Sequence, residues 1–211
     1  MQKYISRFHY LTQDLPQRSH LEQAVIACES GANWIQYRCF SKTEEQHLDE
    51  INRIAEVCDD WGTTLIVTDH TSFLTKADIQ GVHIEDMSAD FIKIRQEIGP
   101  DKTLGASANT IDDIKRIEAS GVVDYIGCGP FGVTLTKPND YTILGIEGYK
   151  LLKAEMEKLR IKTPVLAVGG ILAQDIEALM ATGIYGVALS AAVNKSANPA
   201  SAFKEVYRKL Y

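Results

Sequence analysis

The chain has 211 residues, 45% of them apolar and 24% charged, with a formal net charge of −6. That length supports one large core rather than two. The acidic balance argues against nucleic acid as the main partner, because such binding needs a basic surface.

Short strand-like runs alternate with amphipathic stretches along the sequence. The predicted strands are Phe8–Thr12, Trp34–Arg38, Thr64–Asp69, Gly81–Ile84, Thr103–Ser107, Tyr125–Gly129, Val165–Val168 and Gly186–Ser190. After the second strand, Leu48, Ile51, Ala55 and Cys58 recur at helical spacing. Thr43 and Gln46 have capping-box spacing at the start of that helix. Glu29-Ser30-Gly31, Ala119-Ser120-Gly121 and Ala181-Thr182-Gly183 each close a helical stretch, with glycine suited to a left-handed helix end. Asn198-Pro199 reads as an N-cap followed by proline at the first helical position.

Alternating units of this kind predict a parallel sheet with helices outside, closed as a single α/β (βα)8 TIM barrel over residues 1–211. An open doubly wound sheet would favour a glycine-rich fingerprint after the first strand. That strand instead ends Tyr10-Leu11-Thr12-Gln13-Asp14. The chain is short for a barrel, which typically has ~250 residues. No apolar run reaches the ~18 residues of a membrane helix, and the first seven residues lack a signal-like apolar stretch. Cys28, Cys39, Cys58 and Cys128 contain no C-x-x-C pair, so spacing predicts neither a zinc site nor a disulfide framework. A reducing, cytoplasmic setting is the expectation.

Barrel active sites lie at the C-terminal ends of the strands. On the second strand Gln36 and Arg38 alternate onto the face of Trp34, a pairing suited to an anion or a polar heterocycle. The same Arg also fits a structural pair with a neighbouring carboxylate. Asp69 ends the third strand, as a Mg²⁺ ligand or as a helix N-cap. His70 reads as a solvated loop histidine and His83 as a hydrogen-bonded core residue. Gly127-Cys128-Gly129-Pro130-Phe131-Gly132, followed by Thr134-Leu135-Thr136-Lys137, reads as a phosphate cradle: small residues for close approach, then hydroxyls and a cation. Gly169-Gly170 and Ser190 end the seventh and eighth strands, where barrels commonly hold phosphate.

These pieces, with Thr68-Asp69, Gly81-Val82-His83, Gly105-Ala106-Ser107 and Ala167-Val168-Gly169-Gly170-Ile171, occur in the order of the thiamine phosphate synthase family, also called thiamine-phosphate pyrophosphorylases, which the chain resembles over nearly its whole length. The resemblance implies that a hydroxymethylpyrimidine diphosphate and a thiazole phosphate react to give thiamine phosphate and pyrophosphate, with Mg²⁺ as cofactor. It implies phosphorylated small molecules as partners and a homodimer. By position, Gln36 and Arg38 belong to the pyrimidine diphosphate side, and Thr68 is a further substrate-binding residue. Ser107 and Lys137 hold pyrophosphate. Thr134, Thr136, Gly169, Gly170, Leu189 and Ser190 surround the thiazole phosphate. Arg38, Ser107 and Lys137 carry the catalytic role, and Asp69 binds the metal.

Two positions depart from the family pattern. Where the second strand usually continues Q-x-R-x-K, this chain has Phe40, and the nearest lysine is Lys42. The second metal-binding aspartate falls on Ser88 without a gap, or on Asp86 if the loop is shorter. Three functions stay open at this point: the synthase, an isomerase like the thiazole tautomerase relatives, and a non-catalytic binder of a phosphorylated ligand.

Overall fold

The computed structural model describes residues 3–134 and 141–211. Its strands are β1 (Phe8–Leu11), β2 (Trp34–Tyr37), β3 (Thr64–Thr68), β4 (Gly81–Ile84), β5 (Thr103–Ala108), β6 (Tyr125–Cys128), β7 (Val165–Val168) and β8 (Gly186–Leu189). All neighbours pair in parallel, and β1 pairs with β8, so the sheet closes in sequence order. Closure leaves no strand edge exposed.

The helices are α1 (His20–Glu29), α2 (Glu44–Trp61), α3 (Phe91–Ile98), α4 (Ile111–Ser120), α5 (Gly145–Lys158), α6 (Ile176–Met180), α7 (Ala191–Asn194) and α8 (Pro199–Leu210). Between β3 and β4 the chain makes only a 3₁₀ turn, Thr71–Thr75. This economy accounts for part of the short length. Local signals set the boundaries. Thr43 and Gln46 form the reciprocal capping box of α2, worth about 1 kcal/mol by analogy with other caps. Gly62 and Gly121 end α2 and α4 in the left-handed region. Asn198 caps α8, with Pro199 inside its first turn.

Strand alternation sorts the side chains into two layers. Ile35, Tyr37, Leu65, Val67, Val82, Leu104, Ile126 and Ala167 face outward into the buried shell shared with the helices. Trp34, Ile66, Tyr125 and Leu166 face inward, and with Ile5 they fill the lower half of the barrel. His9 stacks on Trp34 with ring centroids 4.2 Å apart, and burial holds its pKa well below the ordinary histidine value. The barrel is therefore plugged from below, and open volume remains only above this layer. Cys28, Cys39, Cys58 and Cys128 are all buried free thiols. No described helix is long and apolar enough to cross a membrane.

Candidate active site

Above the plug, the strand ends enclose a cleft of about 510 Å³. Its lining includes Arg38, Glu85 and Ser107 on one side. Gly129, Thr134, Gly169, Gly170, Leu189 and Ser190 line the other. A shallow groove of about 680 Å³ lies on the outside of the molecule between Ser30 and α8. None of the candidate site residues lines it.

The β6–β8 side is built from backbone. Phe131 N–H donates to Val168 O at 2.8 Å, and Gly132 N–H donates to Gly169 O at 3.0 Å. These bonds dock the loop after β6 onto the loop after β7. Glycine is required at the junction: a Cβ on Gly129 would lie 2.2 Å from Val168 O, and one on Gly170 would lie 2.6 Å from the Gly132 carbonyl carbon. Gly169 and Gly170 also have φ of 84° and 71°, a region that penalises a side chain. Ser190 Oγ donates to Gln13 Oε1 at 3.2 Å and accepts from Asn194 Nδ2 at 3.2 Å. Its hydroxyl is thus tied into a side network. Lys195, just beyond α7, adds a cation to this wall. Nothing in the local sequence around Lys195 marked it for the site.

The β2–β4 side is built from side chains. Arg38 grips Glu85 through Nε–Oε1 at 2.6 Å and Nη2–Oε2 at 3.3 Å, a two-pronged pair. The Phe40 ring covers the guanidinium, its centroid 4.4 Å from Cζ. Phe40 itself is 62% exposed. Glu85 N–H donates to Asp69 Oδ1 at 2.7 Å, and Asp69 sits at φ 61° at the tip of β3. An aspartate held in the left-handed region carries strain that ordinary connections avoid, and such strain gathers at functional sites. Asp69, at the end of β3, is thus held to the backbone of Glu85, whose carboxylate lines the cleft.

Beneath the rim lies a second polar layer. Gln36 Nε2 donates to Thr68 Oγ1 at 3.0 Å, and both residues are buried. They form the floor under the cleft rather than its lining. Ser107 Oγ lies 3.0 Å from His83 Nε2, and His83 Nδ1 lies 3.1 Å from the Tyr125 hydroxyl. If Tyr125 O–H donates to Nδ1, Nε2 carries the proton and donates to Ser107. The serine hydroxyl is then left to donate into the cleft. Gly105 makes room for this column, since a Cβ there would lie 2.2 Å from the Tyr125 ring and 2.6 Å from His83 Nδ1.

One placement, that of Asp86, differs from the sequence reading. Asp86 is exposed, its Oδ1 accepts from Ser88 N–H and Oγ, and neither residue lines the cleft. The reason is alternation: His83 points inward, so Glu85 does too and Asp86 points away. Lys42 does not stand in for the lysine missing at Phe40, because it pairs with Glu50 of α2 at 2.6 Å. Thr136 and Lys137 lie outside the described residues.

The family model described as thiamine monophosphate synthase matches residues 10–193. The chain belongs to that family. The thiamine-phosphate synthase of Bacteroides fragilis is 36% identical over 197 residues, covering 93% of this chain and 96% of that protein. The one from Flavobacterium johnsoniae is 33% identical over 208 residues, covering 98% and 97%. Among solved structures, thiamine phosphate pyrophosphorylase from Pyrococcus furiosus superposes with a TM-score of 0.84 at 22% identity, over 97% of this chain and 95% of that one. That likeness shows the barrel. For this family member, the sequence matches carry membership.

Proposed function

We propose that the protein is a transferase of thiamine biosynthesis that joins a hydroxymethylpyrimidine diphosphate to a hydroxyethylthiazole phosphate, giving thiamine phosphate and pyrophosphate. The observation that carries this reading is one cleft with two unlike walls: a backbone cradle suited to a phosphate monoester, facing a charged rim suited to a diphosphate. The thiazole phosphate sits against Gly169, Gly170, Leu189 and Ser190, with Thr134 beside it and Thr136 implied by the family pattern. The pyrimidine diphosphate sits against Arg38 and Ser107 over the Gln36–Thr68 floor, with Lys137 taking the family's pyrophosphate role.

In this reading pyrophosphate leaves first and the thiazole nitrogen attacks the resulting pyrimidine cation. Arg38 and Ser107 stabilise negative charge growing on the departing group, where pre-aimed donors act most strongly. The plugged floor keeps water away from the cation, and the two walls hold the nucleophile in line. Mg²⁺ fits the oxygen donors of Asp69 and Glu85, and when bound it neutralises diphosphate charge. A cytoplasmic homodimer of one barrel domain per chain completes the proposal.

Phe40 favours a second reading. An isomerase acting on a thiazole phosphate needs no diphosphate grip, and Arg38 is already paired with Glu85. One assay decides. Purified protein with Mg²⁺ and both substrates is expected to release pyrophosphate only when the thiazole phosphate is also present. Absence of release, with conversion of a thiazole phosphate tautomer without Mg²⁺, would establish the isomerase instead.

A further inference from the structure

Beyond the C-terminal ends of β1 and β2, three potential ligand side chains converge from the β1–α1 segment and the loop after β2. Asp14 follows β1, His20 opens α1, and Cys39 follows β2. Their ligand atoms all lie within 4.8 Å of one another. His20 Nε2 is 3.2 Å from Asp14 Oδ1, and Cys39 Sγ is 3.1 Å from the same oxygen. Ser41 Oγ is 2.6 Å from it. None of the four lines the cleft.

We propose that Asp14, His20 and Cys39 form a transition-metal site, most suited to Zn²⁺, that clamps the loop after β1 to the loop after β2. The donor set is one thiolate, one imidazole and one carboxylate, the borderline-soft mixture that zinc takes and magnesium does not. Three protein ligands leave a fourth position, and the Ser41 hydroxyl or water stands next to it. Tetrahedral zinc with ordinary bond lengths needs ligand atoms roughly 3.3–3.5 Å apart. Two of the observed separations, 3.2 and 3.1 Å to Asp14 Oδ1, reach this with shifts of a few tenths of an ångström, and the His20–Cys39 separation lies within 4.8 Å.

Two further observations fit a ligand role. The other nitrogen of His20, Nδ1, lies 2.7 Å from Thr12 Oγ1, and that oxygen also accepts from Arg38 N–H at 3.1 Å. With Nδ1–H donating to Thr12, the Nε2 lone pair faces Asp14 Oδ1, the outer-sphere arrangement of metal-bound histidines. His20 and Cys39 are also buried, while Asp14 is only partly covered. Ion entry therefore has one open side. On binding, the thiol proton is lost to solvent and the thiolate, carboxylate and neutral imidazole bond to the cation, with no oxidant or reductant involved.

The site lies outside the cleft lining, and its test has its own readout. Chelator-treated protein, kept reduced, is titrated with CoCl₂ and followed by absorbance. The expected result is one equivalent of Co²⁺ per chain with a thiolate-to-cobalt charge-transfer band, displaced by ZnCl₂. Cobalt bound at Asp69 and Glu85 gives no such band, because no thiol is there. Cys39→Ser is expected to abolish the band, Cys128→Ala to keep it, and His20→Gln to weaken binding by about tenfold or more. Titration of the unmodified protein without a thiolate band overturns the proposal. So does a band that survives in a folded Cys39→Ser protein. If Cys39→Ser does not fold, as judged by circular dichroism, Asp14→Asn is read the same way.

Discussion

On the β6–β8 side of the mouth, Gly129, Gly132, Gly169 and Gly170 bring two loops together backbone to backbone, whereas on the β2–β4 side Arg38, Glu85 and Asp69 hold one another through side chains and a single N–H. The first wall is shaped before any ligand arrives, because its geometry follows from residues that have no side chain to move. The second wall is a set of charges already engaged with each other. It must exchange partners to take a diphosphate. The two walls differ correspondingly in what a substitution does to them. A change in the glycine wall meets a clash, while a change such as Phe40 on the charged wall is absorbed by repairing the pairing around it.

Four substitutions sharpen or break this contrast. Arg38→Ala carries the largest expected effect, lowering kcat/KM by about 10²–10³-fold, the usual loss for one charge-stabilising donor. A loss confined to KM for the thiazole phosphate would place Arg38 on the wrong wall. Gly170→Ala comes next. It is expected to cost about 1–3 kcal/mol of stability in chemical denaturation and to raise KM for the thiazole phosphate while leaving KM for the pyrimidine diphosphate near its original value. Equal change in both constants would show that the walls are not separate.

Glu85→Gln keeps the shape and removes the charge. Steady-state titration with MgCl₂ is expected to show half-saturation shifted upward by about tenfold. An unshifted curve would leave Glu85 as a partner of Arg38 and nothing more. Phe40→Lys has the smallest expected effect, an increase in turnover of at most about tenfold, equal to roughly 1.4 kcal/mol in the barrier. If turnover is unchanged, another group already does the work of the usual lysine.

The same contrast explains what the sequence made legible. Strand ends were readable to within about a residue, because apolar alternation, capping boxes and helix-ending glycines are local signals. The glycine wall was readable for the same reason, since each glycine marks its own tight place. The charged wall was not. Ser88 takes the family's aspartate position by spacing and Asp86 only with a shorter loop, yet the pleat carried by His83 turns Glu85 inward, and only the observed register settles which neighbour faces the cleft. Lys42 is two residues beyond Phe40, but the strand stops at Tyr37 and the chain turns toward α2, where Glu50 takes the cation. Asp14, His20 and Cys39 are far apart in sequence and meet only because β1 and β2 are neighbours.

The grip of Glu85 on Arg38 also bears on how the cleft chooses among anions in the cell. The guanidinium meets an incoming ligand with its charge already balanced, on a protein whose net charge is −6. Arg38 therefore adds little to long-range attraction at the mouth, where Lys195 supplies a further cation. A newcomer has to outcompete an intramolecular carboxylate at close range. A monoanion offers Arg38 no more charge than Glu85 already does. A diphosphate offers more, and magnesium on the freed carboxylates compensates for the lost pair. On the proposed function, the Arg38–Glu85 pair thus sets a threshold of charge that favours a diphosphate over a singly charged ligand.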